Sequence, residues 1–164
     1  MGKASMHLLS VILLLWFWAI ADAQSERWSS GLEVPNYKSR RVVVEQLPKS
    51  AADIGLTEDR VRTGIELRLR QSGIQPISQY KSDAFLYTDI EVIRNIFTIS
   101  RQFTRLVSYS VSRDETTIIL GRTWQKKASG IHRRNAQEIV QGLDTLLDTF
   151  LNEYLKTNAV GEHT

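Results

Sequence analysis

Along residues 97–111 apolar and polar side chains alternate. Phe97, Ile99, Phe103, Val107, Tyr109 and Val111 fall on one side of an extended chain, and Thr98, Ser100, Gln102, Thr104, Ser108 and Ser110 on the other. A period of two is that of an antiparallel strand with one side on a core and the other in water. Ser112-Arg113-Asp114-Glu115 then offers a four-residue loop, after which the chain turns back from Thr116. Setting Val111 against Thr116 aligns Tyr109 with Ile118, Val107 with Leu120 and Phe103 with Trp124, so the bulky groups share one face. The same register sets Arg101 against Lys126 and Arg105 against Arg122. Like charges in facing positions repel, so carboxylates or solvent must meet them.

A sheet with one apolar face needs a second layer, and two segments can supply it. Ala136, Ile139, Val140, Leu143, Leu146, Leu147, Phe150, Leu151, Tyr154 and Leu155 recur with helical spacing. Asn135 and Glu138 open that helix as a capping box, and Glu138, Asp144, Asp148 and Glu153 make its outer face acidic. Earlier, Thr57 is an N-cap followed by Glu58 and Asp59, Leu56 and Val61 form a hydrophobic staple, and Gly73 ends the element. Val61, Ile65 and Leu69 give this first helix its stripe, while Arg60, Arg62, Arg68 and Arg70 make it cationic. A basic and an acidic helix suit neighbouring places on one sheet face.

The remaining strands are shorter signals. Residues 41–47 centre on Val42-Val43-Val44 and stop at Pro48. Residues 74–78 carry Pro76 and read as an edge. Residues 84–93 lead into a tight Arg94-Asn95 turn. The order β-α-β-β-β-β-α predicts an α+β two-layer sandwich, with an antiparallel sheet of four to five strands and two helices on one face.

The N-terminus speaks for compartment. Lys3 is followed by an apolar run over 8–21, broken only by Ser10, and then by Ala21-Asp22-Ala23. That is the pattern of a secretory signal peptide ending at residue 23, with a core shorter than the ~20 residues of a membrane span. An uncleaved anchor is the alternative. Residues 24–39, with Ser25, Ser29, Ser30, Gly31, Pro35 and Asn36, read as a flexible leader, in which Trp28 and Tyr37 are available to dock. The domain is expected over 40–157 and a disordered tail over 158–164. The chain has no cysteine, so packing alone must stabilise it in an oxidising compartment. Periplasmic export is the expectation, with secretion as the alternative. Removing 1–23 takes away one cation, Lys3, and one carboxylate, Asp22, so the net charge stays +3. That is too small for a bulk nucleic-acid binder.

Gly55-Leu56-Thr57-Glu58, Leu67-Arg68-Leu69-Arg70 with Gly73-Ile74, Trp124, and Phe150-Leu151-Asn152-Glu153-Tyr154-Leu155 resemble a family of small exported, periplasmic bacterial α+β proteins. The resemblance covers about residues 40–158. It implies a bacterial, extracytoplasmic setting and no activity. The layout is also similar to small periplasmic α+β modules that attach to envelope machinery, a likeness of fold only.

Catalytic and metal signals are sparse. The histidines are His7, His132 and His163, of which only His132 lies in the expected domain, with no cysteine to share a metal. No nucleophile elbow, phosphate-binding loop or dinucleotide turn occurs. Asp89 and Glu91 share a strand face and read as solvated carboxylates. No catalytic residue, metal or cofactor is therefore expected. The candidate anion or partner site is the basic loop 126–134, with Lys126, Lys127, His132, Arg133 and Arg134 running into a helix N-terminus. Its ligand would be an envelope protein, an anionic lipid or a glycan. Phe85 and Tyr87, on the polar sheet face, are a second candidate surface unless the leader covers them. The expected function is a non-catalytic periplasmic interaction module, an accessory of a cell-envelope assembly. The alternatives are a binder of a lipid or other amphiphile held between sheet and helices, favoured by an apolar cavity, and an enzyme of unrecognised type.

Overall fold

A computed structural model describes residues 29–78, 83–112 and 115–159. The elements run β1 (Ser39–Val44), α1 (Lys49–Ala52), α2 (Glu58–Gln71), β2 (Gln75–Ile77), β3 (Ala84–Ile93), β4 (Ile96–Ser110), β5 (Thr116–Ile131) and α3 (Gln137–Ala159). The strands form one sheet in the order β2-β1-β3-β4-β5. The α+β layout is as expected, but the sheet is mixed rather than antiparallel throughout. β1 runs parallel to both β2 and β3, while β3–β4 and β4–β5 are antiparallel. The cause lies in α2, which returns the chain across the sheet between β1 and β2, and such a crossover leaves its two strands parallel. A third helix, the single turn α1, occupies the expected loop after Pro48 and buries Ala51. β1 also starts and stops earlier than the expected 41–47.

The helix ends follow their sequence signals. Thr57 Oγ1 accepts from the Arg60 amide at 3.2 Å, and Leu56 and Val61 are both buried beside it. At the other end the Ile74 amide donates to Leu69 O at 2.9 Å and the Gly73 amide to Arg70 O at 3.0 Å, a Schellman motif that needs the left-handed φ of +77° at Gly73. At the start of α3, Asn135 Oδ1 accepts from the Gln137 amide at 2.9 Å, but Glu138 Oε2 is buried without a partner, so the expected capping box is only half formed.

Across the sheet the inward side chains form rows. Val42, Leu86, Phe103 and Trp124 make one apolar row over four strands, roofed by Phe150 at 5.3 Å from Trp124 and 5.8 Å from Phe103. Ile90, Ile99 and Ala128 make another. Between these two rows stands a polar one, Thr88, Arg101 and Lys126.

Residues 29–38, expected as part of a flexible leader, have no helix or strand but are tied down. Leu32 is completely buried, Asn158 Nδ2 donates to Leu32 O at 3.0 Å, and the Val34 amide donates to Asn158 Oδ1 at 3.1 Å. Tyr154 Oη donates to Tyr37 O at 3.0 Å. Asn158 is therefore helical and buried, so the expected tail cannot begin at 158. Residues 160–164, the signal segment 1–23 and Trp28 lie outside the described residues.

The hairpin register is the expected one near the core and differs beyond it. Phe103 faces Trp124 and Arg101 faces Lys126, but Thr104 then faces Arg122, leaving Thr123 as an extra residue in β5. One bulged residue turns the rest of the strand over. Val107 consequently faces Ile119 instead of Leu120, Tyr109 faces Thr117 instead of Ile118, and Arg105 faces Gly121 instead of Arg122. The bulge is where the leader docks: Thr123 Oγ1 donates to Gly31 O.

Candidate functional site

The basic segment is not one loop. Lys126 and Lys127 belong to β5, and adjacent strand residues point to opposite faces. Lys126 Nζ lies 3.4 Å from Glu153 Oε1 of α3, so a carboxylate meets it as the register demanded. Lys127 faces outward opposite Ser100. His132 is buried, its Nε2 is 2.9 Å from Arg94 O, and its amide donates to Asn95 O at 2.9 Å, which fastens the end of β5 to the β3–β4 turn. Arg133 and Arg134 are exposed, Arg134 with a left-handed φ of 58°. The five residues thus do not converge on one anion.

Phe85 and Tyr87 lie on the outer face beside Thr104 and Gln102, as expected, and are half-buried. Tyr87 Oη donates to Glu45, which, as the main cause, raises the phenol pKa to about 12. Asp89 and Glu91 share that face, opposite Ser100 and Thr98. Among the described residues no three metal-ligating side chains gather, and no helix is long and apolar enough to cross a membrane.

Two features stand out that the sequence reading did not single out. The first is an arm. β3 pairs with β4 only as far as Ala84 opposite Arg105, whereas β4 and β5 continue together to Ser110 and Thr116. The ribbon beyond Arg105 is two-stranded and ~17 Å long at ~3.4 Å per residue. Leu106 and Leu120 pair on one face with Ile118 beside them, and Val107 and Ile119 pair on the other with Tyr109. Tyr109 is 62% exposed, Ile118 64% and Leu120 59%, so apolar groups stand in solvent on both faces. Tyr109 and Val111 were expected in the core; they miss it because β3 ends before them.

The second is Arg101. It lies on the inward face of β4 between Ile99 and Phe103, with no exposed surface. Nη2 reaches Leu143 O of α3 at 3.5 Å, while Nε and Nη1 have no hydrogen-bond partner. Burial pulls the guanidinium pKa down to about 9, with Asp144 opposing it, so the group is still charged at neutral pH. Directly across the ladder, Thr88 is equally buried and its Oγ1 is also without a partner. Arg101 is part of the wall of a cleft of about 320 Å³ between α2 and α3. Strand parity alone placed Arg101 on the core side, and that was the available signal.

No protein-family model matches the chain, and no curated protein matches it.

Proposed function

We propose that this protein is a non-catalytic interaction module of the bacterial cell envelope, which docks by taking an extended segment of a partner protein onto the β5 edge of its arm. The observation that carries this reading is the exposed apolar surface on both faces of the β4–β5 ribbon. A lone two-stranded ribbon is marginal in water, and a long apolar edge is a pairing template that proteins otherwise blunt. The two sheet edges differ in this respect. β2 at one edge has three residues and contains Pro76, whereas β5 at the other has 16 residues, with the uncharged run Thr116-Thr117-Ile118-Ile119-Leu120 at its start. Strand addition supplies main-chain hydrogen bonds, and alternate side chains then read both faces of the ribbon.

The charge pattern favours a protein over a lipid as occupant. Glu115, whose carbonyl accepts from the Val111 amide where the arm's two strands meet, is an exposed carboxylate that would have to enter hydrocarbon with the arm. Export rests on the N-terminal signal pattern, and the absence of cysteine agrees with a domain stabilised by packing alone.

A photo-crosslinking residue placed at Leu120 tests the proposal in the envelope of the source cell, with Asp59 at the start of α2 as the control position. The expected result is a protein adduct at Leu120, absent at Asp59, whose mapped partner peptide is an extended segment. Adducts to lipid only, to a second copy of this chain only, or equally at Asp59 would overturn it.

A further inference from the structure

The arm leaves Arg101 unexplained. A guanidinium has five N–H donors, and here a single long contact to Leu143 O accompanies complete burial. A buried charge without an anion is the least favourable state such a side chain can have. Among the described residues no carboxylate pairs with it: Asp144 is exposed on α3, and Asp148 pairs instead with Arg68 across the two helices. An apolar residue at this position would complete the core between the two apolar rows. Thr88 repeats the anomaly, with a buried hydroxyl that a valine would replace without loss of packing volume.

We propose that the cleft between α2 and α3 binds a small amphiphilic carboxylate, its head held by Arg101 and its aliphatic chain lying between the helices. The cleft walls suit the chain: Val61 and Ile65 of α2 face Leu143 and Leu147 of α3. The volume of about 320 Å³ is at the small end of ligand sites, which fits a short chain. One guanidinium matches a single negative charge, and a carboxylate accepts from a guanidinium in a planar, paired geometry. Nearer solvent Arg60 and Asp144 line the same cleft with opposite charges and Arg68 is paired with Asp148, so the charge left without an anion is that of Arg101.

Gly64 is an independent observation. It sits in the middle of α2, where glycine weakens a helix, and a Cβ there would meet nothing within 4 Å. No close packing explains it. Its effect is to widen the cleft it lines.

The test is titration of the protein with decanoate below its micelle concentration, followed by calorimetry and amide chemical shifts, beside decanol, acetate and inorganic phosphate. Decanoate should bind saturably and shift residues around Arg101 and Leu143. Decanol and acetate should each bind about tenfold or more weakly, because each lacks half of the recognition. Arg101→Met should lose decanoate binding by a similar factor while melting no lower than the wild type, which a purely structural arginine would not allow. Gly64→Leu, which fills the cleft from the α2 side and leaves Arg101 in place, should also lose decanoate, and it keeps the test decisive should Arg101→Met misfold. No saturable decanoate binding, decanoate binding unchanged in Gly64→Leu, or acetate or phosphate binding as tightly as decanoate would each overturn the proposal.

Discussion

Trp124 stands directly across the β4–β5 ladder from Phe103, and its indole Nε1–H donates to Glu153 of α3 at 2.6 Å. The pair joins the hairpin to the long helix, because Phe150 packs on both rings. Trp124→Ala should therefore destabilise the fold by ~3–5 kcal/mol in urea melts, as a buried large-to-small change does. Trp124→Phe should cost less, since a ring remains against Phe150 and the losses are the bond to Glu153 and part of the indole volume. A change below ~1 kcal/mol for the alanine variant would contradict the packing described.

Gly31 is fixed by two separate demands. Its φ is +80°, and a Cβ would come within 2.2 Å of Thr123 O at the β5 bulge. Gly73 has a similar φ of +77° but open space around it. Gly73→Ala should cost only the left-handed penalty of ~1–2 kcal/mol. Gly31→Ala should cost more and should free the segment around Leu32, visible as faster amide exchange there. Equal effects of the two substitutions would show that the leader does not need its close approach to β5.

The leader should also respond to acid. Partial burial, the largest single influence, acts to raise the Glu33 pKa, but hydrogen bonds from Ser29 Oγ, the Ser30 amide and Ser30 Oγ together outweigh it and lower it from 4.5 to about 2. A carboxylate with a depressed folded pKa stabilises above its unfolded value and loses that contribution as pH falls through the folded one. The contribution of Glu33 is thus complete above about pH 4.5 and disappears toward about pH 2. Amide exchange near Leu32 should accelerate across that window in the wild type, and a Glu33→Gln variant should lack this component. Identical pH profiles would contradict it.

Gly64→Ala should raise the melting midpoint. The position is a helix interior with open space for a Cβ, and alanine is better than glycine there by ~0.5–1 kcal/mol. A loss of stability would mean that the glycine serves packing.

Much of this architecture was legible in the residues. The Thr57 cap, the Leu56–Val61 staple, the Gly73 stop and the period-two run through Phe103 are local signals, and local geometry obeys them. What was not legible depended on other parts of the chain. The bulge at Thr123 is stabilised by Gly31, about ninety residues earlier, so the distal register slipped by one. β1 pairs in parallel because of where β2 and β3 insert, which strand patterns do not encode. Lys126, Lys127 and His132 look like one basic loop only until β5 is seen to run through Ile131. Arg101 was the reverse case: its parity announced a core position, and its charge argued against one.

In the proposed docking mode the β5 edge of the arm receives a partner's strand. Amide hydrogen exchange over 116–120 measures this directly, in the free protein and in the complex isolated through the Leu120 crosslink position. Main-chain pairing should slow exchange by roughly tenfold or more in the complex at the alternate amides that do not already bond to β4, since an added strand supplies ladder bonds to these, and leave residues 97–103 unchanged. Exchange over 116–120 that is equally fast in the free protein and the complex would contradict it.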